Sequence, residues 1–278
     1  MKLSIVLSTQ PAQFEAIAFK GGFERNVARI AELGYDGVEL AIRDPNLVDA
    51  NEMLRVVSAH GLEVPAIGTG QAWGEEGLSF TDPDRAIRTA AIERTKSHIP
   101  FATRTGAACG EHGRTVIIIG LLRGIVKPGV DHAQAMDWLV DALQQCCAAA
   151  RPHGVRLALE PINRYETTLI NNVAQGLELV ERIAADNMGL LLDTFHMNIE
   201  EPSIEDSIRA ADERFFHFHV ADSNRWYPGA GHLDFARILA VLREIGYEGY
   251  LSAEILSLPD ADTCARRTIE FLKGVFDA

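Results

Sequence analysis

"GLLLDTFHMN", residues 189–198, runs from a glycine through three leucines into Asp193 and reaches His196 three positions later. A short apolar run of this kind, closed by a polar group, reads as a buried strand. Its last residue is then an acid, which is costly to bury without a partner. Seven further runs recur along the chain, at 3–8, 37–41, 64–68, 115–120, 156–160, 215–220 and 249–254. Between them lie segments of helical period, at 23–34, 52–61, 85–99, 135–154, 172–186, 203–212 and 234–246, several of them ending in glycine. Strands that alternate with helices imply parallel βαβ units, and eight such units closing on themselves predict an α/β fold, the (β/α)8 TIM barrel. A doubly wound open sheet would carry a glycine-rich phosphate turn after its first strand, and "LSTQPAQ" (7–13) has none.

Composition sets the frame for that reading. The chain has 278 residues with 47% hydrophobic content, which suits one barrel domain over 1–278. A formal net charge of −13 argues against nucleic acid or an anionic membrane as the main partner, because both call for a basic face. "MKLSIVLSTQ" (1–10) lacks a basic segment followed by an apolar core, and no run approaches the ~18 apolar residues of a membrane span. A cytoplasmic protein is expected. Cys109, Cys146, Cys147 and Cys264 show no C-x-x-C spacing and read as free thiols.

In a barrel the chemistry sits where the strands end. "RLALE" closes on Glu160, "GLLLD" on Asp193, "FFHFH" on His219 and "YLSAE" on Glu254, so the fifth to eighth strands each deliver a metal-type ligand to one rim. A single acid at a strand end is ordinarily a helix N-cap or a solvated group. Three carboxylates gathered together repel one another unless a cation neutralises them, and three acids with one imidazole suit Mn²⁺, or Mg²⁺ or Co²⁺, better than a structural zinc. Glu39 in "GVELA" offers either a hydrogen-bond acceptor behind the ligands or a rim ion pair, and His217 reads as a satisfied core histidine. Arg43, Arg123, Arg164 and Arg225 fall just after strands two, four, five and seven, where they either meet an anionic substrate or pair with neighbouring acids. Glu160 and Glu254, three strands apart on the ring, can face opposite sides of a sugar. Proton removal by one and return by the other would invert a stereocentre beside a ketose carbonyl, whereas transfer on one face would give an aldose–ketose isomerase.

"EPINRYE" (160–166), "DTFHMN" (193–198), "HVADSNR" (219–225), "PGAGHLDF" (228–235) and "YLSAEIL" (250–256) resemble the D-tagatose and D-psicose 3-epimerases of the xylose-isomerase-like TIM-barrel superfamily. The resemblance implies that Glu160, Asp193, His219 and Glu254 hold a divalent metal, with Glu160 and Glu254 as the acid–base pair. It further implies that Glu166, His196 and Arg225 hold the sugar's first three oxygens, and that the protein assembles as a homodimer or homotetramer. "AFKGGFERNV" (18–27), "VELAIRDP" (38–45), "AIGTGQAWGEEGLS" (66–79) and "VIIIGLLRG" (116–124) look closer to the branch that epimerises the keto-uronate 5-keto-L-gluconate to D-tagaturonate. Arg43, Arg123 and Arg164 are then candidates for the substrate carboxylate. An endonuclease-IV-like phosphodiesterase, a relative of the same fold, would call for more histidines and a basic face. A sugar-binding module without catalysis is the remaining alternative. The segment "TRTGAACGEHGR" (103–114) has no assigned role.

Overall fold

A computed structural model describes residues 1–108 and 115–276. Eight parallel strands form the frame: β1 Lys2–Ser8, β2 Gly37–Ala41, β3 Ala66–Gly68, β4 Val116–Ile119, β5 Arg156–Leu159, β6 Met188–Asp193, β7 Phe215–Val220 and β8 Tyr250–Ala253. Each pairs with the next, and β8 pairs back onto β1, Lys2 opposite Tyr250 and Ile5 opposite Ala253. The sheet is therefore the closed eight-stranded barrel that the sequence pattern predicts, with no open edge among these strands. A two-residue strand, Phe19–Lys20, lies along the end of β1 with Phe19 opposite Leu7. Residues 9–18 thus make an excursion at the C-terminal rim.

Strand periodicity decides what points inward. Residues two apart share a face, so Ala158 and Glu160, Leu191 and Asp193, and His217 and His219 look into the same interior. Ala66, Val116, Ile118, Ala158 and Leu191 form their own apolar cluster, separate from the main core. This cluster plugs the barrel, and the polar residues at 160, 193 and 219 stand one step above it. Burial of each Val, Ile or Leu contributes about 1.5–3 kcal/mol, so the floor beneath the polar layer is held firmly.

The helices are α1 Phe23–Leu33, α2 Ala50–Ala59, α3 Gln71–Glu76, α4 Arg85–Ser97, α5 Ile99–Ala108, α6 His132–Ala150, α7 Val173–Ile183, α8 Thr194–Glu200, α9 Ile204–Ala211, α10 Phe235–Glu244 and α11 Ala261–Phe276. Side-chain caps start many of them: Asp49, Asp84, Asp131, Asn172, Ser203 and Asp234 each accept from a backbone N–H of the first turn. The helix expected over 85–99 is α4, Arg85–Ser97; it stops before Pro100, which has no N–H to continue the ladder, and a further helix, α5, follows from Ile99. The helix expected over 135–154 starts earlier, at the Asp131 cap, and tightens into a 3-10 turn, Arg151–His153, before Gly154 at φ 66°. The short helices α3 and α8 do not follow from the periodicity; both are too brief to show a repeat. Cys146, Cys147 and Cys264 are buried free thiols, as expected, and Cys109 lies outside the described residues. Residues 103–108 end α5, and the remainder of the unassigned 103–114 segment lies outside the described residues. Among the described residues no helix is long and apolar enough to cross a membrane.

Candidate active site

Asp193 resolves the question its strand raises. One carboxylate oxygen, Oδ1, caps α8 by accepting the Phe195 N–H at 2.8 Å, while Oδ2 is buried with no hydrogen-bond partner. Glu160 Oε1 and His219 Nδ1 are likewise buried and unpartnered. These orphaned atoms face each other. His219 Nδ1 lies 3.8 Å from Glu160 Oε1, 3.8 Å from Asp193 Oδ2 and 3.9 Å from Glu254 Oε2. All four residues offer ligand atoms within 4.8 Å of one another. Buried polar atoms left unpaired are rare in folded proteins, and three converging on one point fit a cation-binding site. The donor set, three carboxylates and one imidazole, suits a hard or borderline divalent ion.

Electrostatics agrees with the geometry. Burial, then the nearby Glu254, pushes the Glu160 carboxyl well above its ordinary range. Burial also raises Glu254, against the pull of His219 and Arg225. Burial would raise Asp193 too, but His196, His219 and Arg225 outweigh it and hold it low. Burial disfavours charge on His219, yet Glu39, Asp193 and Glu254 prevail and push its pKa well up. Groups so placed hold protons against their habit, and a divalent cation among them would release those protons and do the same neutralisation.

Behind the ligands stands Glu39 on β2, 1% exposed. Its carboxylate accepts from His219 Nε2 at 3.0 Å and from His217 Nε2 at 2.8 Å. Of the two sequence readings it is therefore the acceptor behind the ligand, and His217 is the satisfied core histidine. With Nε2–H committed to Glu39, the Nδ1 lone pair of His219 is turned toward Glu160, Asp193 and Glu254.

His196 is delivered by α8. Asn163 Nδ2 lies 2.8 Å from His196 Nδ1 and donates to Glu166 Oε1, also at 2.8 Å. The amide thus donates to Nδ1 and leaves Nε2–H pointing inward, 3.6 Å from Glu160 Oε1 and 3.9 Å from Asp193 Oδ2. Burial lowers the His196 pKa to about 3, so the ring is a neutral donor near pH 7. Arg225 donates to Glu166 Oε1 at 3.1 Å and to Glu254 Oε2 at 2.7 Å, with Phe195 and Phe14 rings 4.8 and 5.2 Å from its guanidinium. Its φ of 60° is a left-handed conformation unfavourable for a non-glycine residue, the kind of local strain that surrounding contacts must hold. For Asn163 the sequence offers no signal beyond its place in "PINRYE", between Glu160 and Arg164.

A cavity of about 320 Å³ opens over these groups. It is lined by Glu160, Glu166, His196, His219, Arg225 and Glu254, and on the other wall by Phe14, Ile17, Gln71, Trp73 and Glu75. That volume falls in the range of small-molecule sites. The structure brings seven expected residues together: the four ligand candidates with Glu166, His196 and Arg225. Arg43, Arg123 and Arg164 are not brought to the cavity. Arg43 Nε lies 3.2 Å from Glu76, and Arg164 makes paired bonds to Glu200 at 2.9 and 2.7 Å. Arg123 is fully buried and donates to the carbonyls of Gly120 (3.0 Å), Leu169 (3.3 Å) and Ile170 (3.1 Å), which ties the loop after β4 to the loop after β5. Of the two sequence readings, Arg43 and Arg164 follow the second, pairing with acids of the protein, and Arg123 is tied to backbone carbonyls with only Nη2 unpartnered.

Comparison with known proteins agrees with this architecture. Residues 27–275 match the family described as xylose isomerase-like TIM barrel. The chain is 33% identical over 260 residues to an L-ribulose 3-epimerase of Mesorhizobium japonicum, covering 91% of this chain and 80% of that protein. It is 29% identical over 271 residues to an L-ribulose 3-epimerase of a Methylomonas species, covering 91% of each. Among solved structures, D-psicose 3-epimerase from Clostridium cellulolyticum H10, crystallised with D-tagatose, superposes with a TM-score of 0.84 at 23% identity over 99% of both chains. Fold, rim constellation and relatives together place the chain in the xylose isomerase-like TIM-barrel family, among its sugar epimerases.

Proposed function

We propose that this protein is a divalent-metal-dependent ketose 3-epimerase, with Mn²⁺ the favoured ion and Mg²⁺ or Co²⁺ as substitutes. The observation that carries the reading is the convergence of unpartnered Glu160 Oε1, Asp193 Oδ2 and His219 Nδ1 beside Glu254, on the floor of one cavity. Glu160, Asp193, His219 and Glu254 would hold the ion; when bound, it would supply Lewis-acid polarisation of the ketose carbonyl.

The chain's own groups do the rest. Glu160 and Glu254 stand at the ends of β5 and β8 and approach a sugar from different sides. One carboxylate takes the proton from C3, the electron pair is held in the sugar as an enediolate, and the other carboxylate returns a proton to the opposite face. Arg225 fixes Glu254 through the 2.7 Å bond, so the second carboxylate is oriented before the sugar arrives. The inward Nε2–H of His196, the Arg225 guanidinium and the Glu166 carboxylate would hold the sugar's oxygens. Phe14, Ile17 and Trp73 supply an apolar wall that limits water at the reacting carbon.

The substrate class we favour is a neutral ketohexose or ketopentose. The relatives named for L-ribulose and D-psicose support it. A keto-uronate such as 5-keto-L-gluconate would gain from a cation on the outer wall, and Arg43, Arg123 and Arg164 are engaged elsewhere. Assembly as a homodimer or homotetramer belongs to the same proposal and is read by light scattering.

The test is to load the purified protein with Mn²⁺ and follow solvent deuterium into C3 of D-tagatose, D-psicose and L-ribulose with product analysis. Inversion at C3 with deuterium incorporation is expected, and Glu160→Gln should lower it by about 10²–10⁴-fold. An aldose product would indicate the isomerase alternative. Absence of any C3 exchange, or full activity of Glu160→Gln, would refute the assignment.

A further inference from the structure

Helix α3 carries two adjacent acids and sends them in different directions. Glu76 faces outward to Arg94 at 2.8 Å and Arg43 at 3.2 Å. Glu75 lines the cavity, accepting the Gln13 backbone N–H at 2.8 Å and the Gln13 side-chain amide at 3.2 Å. The cationic partners near α3 therefore meet Glu76, and none of them meets Glu75. Arg225 is the only arginine or lysine among the described residues lining the cavity, and Glu166 and Glu254 already occupy it.

One turn earlier, Gln71 lines the same wall and is only 6% exposed, with Oε1 unpartnered. Its amide orientation is fixed. Gln71 Nε2 donates to Ser8 Oγ at 2.7 Å, and the Ser8 hydroxyl proton is committed to the Gln10 carbonyl at 2.5 Å, so Ser8 Oγ must be the acceptor. Reversing the amide would set two oxygens against each other. Gln71 Oε1 is thus a buried acceptor in the wall beside Glu75 with no protein donor to meet it, an arrangement that is costly where it stays unpaired.

We infer that Glu75, with Gln71 beside it, is the specificity determinant of this site: the wall reads a hydroxyl-bearing sugar end by accepting hydrogen bonds and repels a carboxylate there. A buried or half-buried carboxylate next to a second one is disfavoured far more than next to a neutral hydroxyl. The inference rests on the ketose-epimerase reading but adds to it a residue that touches neither the proposed ion nor the reacting carbon.

D-tagatose and D-tagaturonate make a matched pair of probes, since they differ at C6 in carrying a hydroxymethyl or a carboxylate. Wild-type, Mn²⁺-loaded protein should prefer D-tagatose by about tenfold or more in kcat/KM for C3 exchange, the scale of one desolvated like-charge pair. Glu75→Lys should shift the ratio toward the uronate by about tenfold or more, chiefly through KM, while Glu75→Gln shifts it by a smaller factor in the same direction. Circular dichroism establishes that both variants fold. A wild-type preference for the uronate, or a Glu75→Lys ratio within about twofold of wild type, would overturn the inference. If wild type exchanges C3 of neither sugar, the epimerase reading fails by itself. Calorimetric binding of the two sugars to wild type and Glu75→Lys then decides the inference: reversal of their order supports it, and an unchanged order overturns it.

Discussion

Glu39 stands behind the ligand cluster, and its two histidine contacts make it the support of that cluster. Its carboxylate, 1% exposed, accepts His217 Nε2 at 2.8 Å and lies within 3.1 Å of His219 Nε2 through both oxygens. In Glu39→Gln an amide oxygen in the place of Oε2 can still accept from both rings, but the NH₂ group in the place of Oε1 then stands about 3.1 Å from His219 Nε2–H, donor against donor. One buried donor is left unpaired, at a cost of about 1–3 kcal/mol. The negative charge that turns His219 Nδ1 inward as a ligand is lost as well. Removing such an outer partner of a metal-bound histidine typically lowers metal affinity about 10–100-fold, or about 1.4–2.8 kcal/mol. The assay is calorimetric titration of metal-stripped wild type and Glu39→Gln with Mn²⁺, beside thermal unfolding of each with and without the ion. We expect weaker binding and a smaller Mn²⁺-induced rise in Tm. Mn²⁺ affinity within about twofold of wild type in the folded variant would refute the orienting role. A lower metal-free Tm with an unchanged metal-induced rise would reduce Glu39 to a packing residue.

Metal affinity should rise with pH through the neutral range, since Glu160 and His219, both pushed upward, must release protons as the ion enters. Titrations in buffers of different ionisation enthalpy would detect that release, and pH-independent binding would contradict it. His98, between α4 and α5, is fully buried with neither ring nitrogen partnered, and burial lowers its pKa from 6.5 to about 3. Above pH 6.5 neither folded nor unfolded chain holds that proton; as pH falls toward 3 only the unfolded chain takes it up. Folding stability then drops by about 1.4 kcal/mol per unit from this group. His98→Leu should therefore show a shallower loss of stability between pH 6 and 4 in urea titrations, and parallel curves would exclude the group. Gly189, where β6 begins, has room for no methyl: a Cβ would lie 2.5 Å from the Arg214 carbonyl and 2.6 Å from Phe216. Gly189→Ala should cost about 1–3 kcal/mol in calorimetric stability, and a neutral effect would show that the strand pair can part.

Much of this molecule is written locally. Strands such as Gly37–Ala41 and Phe215–Val220 coincide with the apolar runs read from the sequence, because a buried strand is marked by a short β-branched or apolar stretch with a polar end. The alternation of such runs with helical segments carries the barrel, and the strand-terminal residues Glu160, Asp193, His219 and Glu254 follow from the rule that barrel chemistry sits where strands end. What required the tertiary structure is everything that depends on which way a side chain turns. Asp193 is both helix cap and ligand candidate, because its two oxygens face different neighbours. The post-strand arginines share one sequence position, yet only Arg225 reaches the cavity; Arg43, Arg123 and Arg164 meet acceptors supplied by segments distant in the chain. Glu75 and Glu76 are adjacent in sequence, but on α3 they face opposite surroundings. Periodicity and propensity are properties of a few consecutive residues, so the sequence determines the elements and the rim. The partners of a charged group arrive from across the ring, and only closure of the barrel decides which of them lie within hydrogen-bond reach.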